Sequence, residues 1–307
     1  MNIVFMGTPD FAVESLRKLY ENGHNIKAVI SQPDRKSGRG MNVTPTPVKE
    51  YAVSKNLPVY QPERIRKDTE LIEKIKSMKP DVIVVVAFGQ ILPQSILDIP
   101  KYGCVNVHGS LLPKYRGAAP IQWAIINGEE VTGVTTMYMD AGMDTGDMIE
   151  KYEIPIDYND TYGTLYEKLK VLGGKAIINT LEKIADAGIG GRKKQPDDFT
   201  MAPMIEKEMG EIDWNKTSKE IRNLVRGFNP MPGAYTIING EKMKVWQAEL
   251  SEINDENYKP GEIVKADSKD GLLIKTGDGI LELTEIQMPN LKRMTAKEYL
   301  RGHKINF

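Results

Sequence analysis

The run Asp81–Phe88, DVIVVVAF, limits the fold more than any other stretch of the chain. Its apolar residues follow one another without the polar alternation of a half-exposed strand, and most of them are β-branched. A strand of that kind is covered on both faces, as in parallel sheets with helices on either side. It is too short to cross a membrane, and no segment approaches the ~20 apolar residues that a span requires. The N-terminus carries a matching pattern. Asn2–Met6 reads as an apolar strand, Gly7-Thr8-Pro9 as a turn, the residues to Leu19 as a helix, and Lys27–Ile30 as the next strand. Strand, helix and strand in that order form a right-handed βαβ unit. The expected class is therefore α/β, with a Rossmann-like, doubly wound, mostly parallel sheet. A dinucleotide site would show G-x-G-x-x-G at the first turn. This turn holds one glycine and a proline, which argues against NAD.

Ligands of such sheets bind beyond the carboxyl ends of the strands, and one strand end is rich in reactive groups. In Gly103–Pro120, GCVNVHGSLLPKYRGAAP, the apolar Val105 and Val107 alternate with Asn106 and His108. Alternation sets the amide and the imidazole side by side on one face and the valines on the other. Gly109 then lets the backbone turn sharply. An amide that donates and a ring that takes up or releases a proton are what acyl transfer needs. Cys104, the single cysteine, sits among apolar neighbours on this strand and reads as a small buried hydrophobe rather than a nucleophile. One cysteine leaves no intrachain disulfide and fits a reducing compartment, so a cytoplasmic protein is expected.

Residues 32–49 (QPDRKSGRGMNVTPTPVK) interrupt the α/β pattern and set Arg35, Lys36, Arg39 and Lys49 against one acid, Asp34. Two readings stand: a solvated connection, or an arm that carries cationic groups to phosphates. A net charge of −1 provides no global positive field, so contact with a nucleic acid would have to be local. Helices are expected at 49–55, 69–78 and 121–126, and strands at 131–139 and 148–156. A long helix from Thr161 to Ala187 has an apolar face and Asp160 as its cap. The loop Asp140–Asp147 (DAGMDTGD) spaces its acids wrongly for calcium, and nothing in the chain requires a metal. Gly188–Met204 is polar and uneven and reads as a linker. Its Arg192 and Lys193 either touch phosphate or belong to a solvated basic run. Beyond it, a helix near 218–228 precedes short alternating strands, among them a hairpin around Asn239-Gly240. A small closed or partly open barrel is the natural packing for such strands. The expected domains are 1–189 with the basic loop inserted at 32–49, a linker at 190–206, and a β domain at 207–307.

N-x-H followed at once by SLLPKYRGAAP resembles the signature of the folate-dependent formyltransferases. Further stretches resemble that family in order: FMGTPDFAV at 5–13, QPDRKSGRG at 32–40, DAGMDTGD at 140–147, FNPMPGAY at 228–235 and KVWQA at 244–248. The resemblance spans nearly the whole chain. It implies transfer of a formyl group from 10-formyltetrahydrofolate to the α-amino group of methionine on initiator methionyl-tRNA, in translation initiation. It implies a formyltransferase fold followed by an OB-like barrel that helps hold the tRNA. It implies a catalytic set of Asn106, His108 and Asp144, the last chosen over Asp140 and Asp147 by the family's D-x-G-x-D-x-G-D pattern. Asn106 would donate to the oxyanion. His108 would accept the amine's proton or hydrogen-bond the oxyanion, and Asp144 would hold or polarise the imidazole.

By the same resemblance, Ser110, Leu111, Leu112 and Pro113 would form the folate-facing turn. Phe88 and Gln90 would either line that pocket or form a buried strand end. The basic arm would engage the acceptor stem, Arg39 foremost, with Arg35, Lys36, Arg192 and Lys193 as further tRNA contacts. A monomer with no membrane association is expected. Two alternatives remain at this point. One is a formyltransferase for a small amine, such as glycinamide ribonucleotide or a nucleotide amino sugar. The other is a non-catalytic folate- or RNA-binding protein, which would have no use for a proton carrier beside the amide.

Overall fold

The structure, a computed structural model, describes residues 1–37, 42–238, 240–253 and 255–305. Strand β1 (Asn2–Gly7), helix α1 (Asp10–Glu21) and strand β2 (Asn25–Ile30) make the first βαβ unit, with β1 and β2 parallel. A ribbon of β3 (Arg35–Ser37) and β4 (Asn42–Thr44) leads through α2 (Pro47–Ser54) to β5 (Val59–Tyr60) and α3 (Thr69–Ser77). There follow β6 (Val82–Val86), α4 (Gln94–Leu97), β7 (Cys104–His108), α5 (Pro120–Ile126), β8 (Val131–Tyr138), β9 (Met148–Pro155) and the long α6 (Tyr162–Ala187).

Seven strands lie in the order β5-β2-β1-β6-β7-β8-β9. Pairing is parallel from β5 through to β7, and β8 runs antiparallel to β7. The continuous apolar run is β6, buried at every residue near the middle of this sheet. One face packs a core that includes Met6, Ile30, Ile83, Val85, Phe88 and Ile96. The mostly parallel α/β expectation holds, with the antiparallel β8 as its exception.

Helix starts follow local chemistry. At α2 the Thr46 hydroxyl accepts the Lys49 N–H, and Pro47 fixes the first φ. At α6 the Thr161 hydroxyl accepts the Thr164 N–H. The carboxylate of Asp160 accepts from the Asp157 N–H and from the Thr164 hydroxyl in the first turn of the helix. The basic insertion is less irregular than its composition suggests. Arg35 pairs with Thr44 and Lys36 with Val43 in the ribbon, while Arg39 lies outside the described residues.

The chain divides into two units. The first is Met1–Gly117, Val131–Ile154 and Tyr166–Ala202; the second is Ala118–Glu130, Pro155–Leu165 and Pro203–Phe307. Residues 190–202, expected as linker, therefore belong to the first unit, where Lys193 pairs with Met148 and Arg116 with Met201. Backbone pairing overrides the polar composition that suggested a free connection. The second unit holds α7 (Ser218–Gly227), started by a reciprocal Thr217–Glu220 cap. It continues with β10 (Ala234–Ile238), β11 (Glu241–Leu250), β12 (Ile263–Asp267), β13 (Gly271–Lys275), β14 (Ile280–Gln287), β15 (Met294–Thr295) and α8 (Ala296–Gly302). These strands form an antiparallel sheet in the order β10-β11-β14-β13-β12, with β15 on β14. Among the described residues the end strands β10 and β12 each pair with one named strand, and an isolated bridge joins Tyr235 of β10 to Glu211. Phe228, Val245, Leu272, Leu281 and Ile286 lie in its core. The Asn239 half of the expected hairpin turn lies outside the described residues.

Candidate active site

Strand β7 is held between β6 and β8, Asn106 opposite Val85 on one side and Met137 on the other. Val107 turns to α6, where a Cβ on Gly173 would stand 3.1 Å from its Cγ1. Asn106 and His108 turn the other way, as strand alternation requires. His108 Nε2 lies 2.9 Å from the Tyr115 carbonyl. A carbonyl can only accept, so Nε2 carries the hydrogen. Nδ1 is thus the ring nitrogen left for proton transfer, and it faces Asp144 Oδ2 at 3.6 Å. Asn106 Nδ2 donates to Asp144 Oδ1 at 3.4 Å, and the Gly117 N–H donates to Oδ2 at 2.9 Å. Amide, imidazole and carboxylate therefore converge, drawn from β7 and from a connection 38 residues away in sequence.

Of the three acids in 140–147, Asp144 alone reaches this cluster. The Asp140 carboxylate closes its own turn, accepting from the Gly142 N–H and the Thr145 hydroxyl, and Asp147 faces Arg192 Nε at 3.5 Å. Asp144 sits at φ 53°, the left-handed region that Asp tolerates better than most residues. Residues from the former linker hold it there. The buried Gln195 donates through Nε2 to the carbonyls of Asp144 and Gly146, each at 2.8 Å. Its Oε1 accepts from Arg116 Nε at 3.0 Å and Nη2 at 2.7 Å. The Arg116 guanidinium lies over the Phe199 ring, 4.4 Å from its centroid.

Residues 1–181 match the formyl transferase family model, and residues 204–304 match that of its C-terminal domain. The chain belongs to the formyl transferase family. It is 52% identical over 305 residues to a methionyl-tRNA formyltransferase of Clostridioides difficile, covering 99% of this chain and 98% of that one. A methionyl-tRNA formyltransferase of Caldanaerobacter subterraneus is 50% identical over 305 residues, with the same coverage. Among solved structures, an N-formyltransferase from Helicobacter canadensis in complex with folinic acid and dTDP-3-aminofucose aligns with TM-score 0.68 at 23% identity. That alignment covers 93% of this chain and 98% of the other, and it shows the shared fold.

The expected folate turn of this formyl transferase is largely occupied with its own structure. The Ser110 hydroxyl donates to the Lys114 carbonyl at 2.7 Å, and the Ser110 carbonyl accepts from the Thr135 hydroxyl. Leu112 is fully buried with Met137 and Met148. Leu111 packs over Gly133, and it and Pro113 are the half-buried members of the turn. Phe88 is a core residue whose carbonyl accepts from Thr8 and Gln32. The Gln90 amide is spent on the backbone of Pro62 and Ile65. Phe88 is thus buried just past the end of β6, and Gln90 is half-buried in the connection that follows.

Among the expected tRNA contacts, Arg35 Nη2 lies 3.3 Å from Gln32 Oε1, and Lys36 sits in β3. Arg192 is exposed beside Asp147, and Lys193 is tied by its backbone to Met148. Burial pushes the Cys104 thiol up to about 12, so it is no thiolate at neutral pH. Among the described residues no His, Cys, Asp and Glu cluster could hold a metal, and no helix is long and apolar enough to cross a membrane. Arg116 falls within SLLPKYRGAAP, while nothing in the sequence around Gln195 marks it for the contacts it makes here.

Proposed function

We propose that the chain transfers the formyl group of 10-formyltetrahydrofolate to the α-amino group of methionyl-tRNA, with Asn106, His108 and Asp144 at the reacting centre. The observation that carries the reading is the Asp144 carboxylate, reached by the Asn106 amide and faced by the free nitrogen of His108. The relatives named as methionyl-tRNA formyltransferases match both domains, which supports the tRNA acceptor over a small amine.

The reaction needs an amine that attacks neutral, a donor for the oxyanion on the formyl oxygen, and a proton for the departing N10. The Asn106 contact to Asp144 is long for a hydrogen bond at 3.4 Å, so its N–H can turn to an oxyanion at little cost. One such donor contributes about 10²–10³-fold to rate. His108 is held by its Nε2–H, which aims Nδ1 at the same space. There Nδ1 receives the proton leaving the attacking nitrogen and returns one to N10, a role worth about 10²–10⁴-fold. Asp144 stabilises the proton on Nδ1 across 3.6 Å, directly or through one water. The partly exposed Leu111 and Pro113 offer apolar surface for the flat pterin. Arg35, Lys36, Arg39, Arg192 and Lys193 supply local charge for tRNA phosphates. The chain works as a cytoplasmic monomer, the first unit performing the chemistry and the β domain holding tRNA.

The test offers labelled 10-formyltetrahydrofolate with methionyl initiator tRNA, methionyl elongator tRNA and glycinamide ribonucleotide in parallel. Label is expected on the initiator tRNA. Label on the ribonucleotide with none on either tRNA would overturn the acceptor assignment.

A further inference from the structure

The Asp144 carboxylate can serve His108 only if a short loop in an uncommon backbone conformation stays in place, and side chains far away in sequence hold that loop. Asp144 sits at φ 53°, a conformation that needs outside support in a non-glycine residue. Two backbone carbonyls of the loop, Asp144 and Gly146, point at the Gln195 amide. Gln195 is only 5% exposed, and both hydrogens of its NH₂ group are used on these carbonyls. Its carbonyl oxygen is taken by Arg116, whose own backbone exchanges hydrogen bonds with Thr200 and Ala202. The next residue in the chain, Gly117, donates its N–H to the Asp144 carboxylate. The loop's backbone and its carboxylate are thus fixed from one short stretch, Arg116–Gly117, with Gln195 as the link.

We infer that Gln195 is a positioning residue for formyl transfer: its amide holds the 144–146 loop so that the Asp144 carboxylate meets His108 Nδ1. The inference rests on the catalytic role assigned above to Asp144. The chemistry of the side chain is specific. Only an uncharged amide both donates two hydrogens to carbonyls and accepts from a guanidinium at this length. Glutamate at 195 would keep the partner of Arg116 and nearly the same volume, yet it donates nothing and sets a negative charge against two carbonyl oxygens. Misplacing a reacting group by about 1 Å costs on the order of 10²-fold in rate.

The experiment compares the full-length wild type with Gln195→Glu, Asp144→Asn and the double variant. It measures kcat and KM for both substrates, together with thermal midpoints. Gln195→Glu is expected to lower kcat about 10–100-fold, with KM values within about twofold and a thermal midpoint near wild type. In the Asp144→Asn background, where the carboxylate is already gone, adding Gln195→Glu should cost little more. A kcat near wild type in Gln195→Glu, with Asp144→Asn impaired, overturns the inference and leaves the role of Asp144 standing. So does a full multiplicative loss in the double variant, which marks a general structural role. Should Gln195→Glu fail to fold, Gln195→Met keeps the volume without the hydrogen bonds and must show the same non-additivity. Wild-type turnover in Asp144→Asn would remove the reading beneath and the inference with it.

Discussion

Replacing Gly117 by alanine should uncouple the carboxylate from the imidazole, and the size of the effect follows from the surroundings of this residue. Gly117 sits at φ 118°, where an L side chain is strained, and an added Cβ would lie 2.8 Å from the Ala202 carbonyl oxygen. That carbonyl cannot retreat freely, because the Ala202 N–H donates to the Arg116 carbonyl at 2.7 Å. The chain must shift, and the group that moves is the N–H holding Asp144 Oδ2 at 2.9 Å. Backbone strain of this kind costs about 1–3 kcal/mol, and a hydrogen bond to a charged group contributes about 1.5–3 kcal/mol. Part of that sum appears as lost stability. If about 1.4–2.7 kcal/mol of it reaches the transition state, kcat falls roughly 10–100-fold.

The assay is formylation of methionyl-tRNA at saturating donor and acceptor, with single-turnover measurements to isolate the chemical step. Gly188→Ala is the control, since Gly188 also has positive φ (66°) but no atom within 4 Å of an added Cβ. It carries the conformational cost alone and sits at the end of α6, so its turnover should match wild type. A Gly117→Ala enzyme that folds and turns over at the wild-type rate would refute the argument that this N–H fixes the carboxylate.

His108→Ala and Asn106→Ala should each lower kcat by at least about 10²-fold with thermal midpoints kept. Wild-type single-turnover rates in either would remove the assignment. Leu112→Ala should cost about 2–5 kcal/mol of stability, because Leu112 is fully buried with Met137 and Met148. The KM for the folate should hardly move, and a large rise in that KM at unchanged stability would show that Leu112 faces ligand after all. Asp278 accepts the Ser218 N–H at the start of α7, a bond that holds its carboxyl below the usual carboxylate range. A lowered folded-state value means that the stabilisation is complete above the unfolded value and fades as pH falls through the folded one. The thermal midpoint advantage of wild type over Asp278→Asn should therefore shrink as pH drops below about 4. An advantage independent of pH would show that the carboxylate charge contributes nothing.

What could be read from the sequence was what short-range geometry determines. Two-residue alternation placed Asn106 and His108 on one face of β7, and the unbroken β-branched run placed β6 in the middle of the sheet. Local spacing does not single out Asp144 from Asp140 and Asp147, because three acids share one short loop and an acid between glycines, as Asp144 is, equally suits a turn. The family's pattern points to Asp144, and its carboxylate makes contacts that span 27 and 38 residues, which no local pattern can show. Residues 190–202 of the expected linker lie in the first unit, and 203–206 in the second. Its polar, glycine- and proline-containing composition fits its exposure, since residues 190–201 are exposed except for Gln195. Yet Gln195 is polar because its task is polar: it satisfies carbonyls that no strand partner can reach.

On the proposed roles, that task also accounts for a carboxylate kept beside the His108 ring without a charged clamp. Were a lysine or arginine to hold Asp144 directly, its charge would compete with His108 for the same oxygen. Here the partners of the carboxylate are a backbone N–H and a neutral amide, and the cation nearest in the network, Arg116, is set behind Gln195. The loop is gripped by its carbonyls and the carboxylate by neutral donors, so the negative charge is left for the imidazole. Moving a cation up to that carboxylate would strengthen the grip while weakening the one interaction that the grip exists to present.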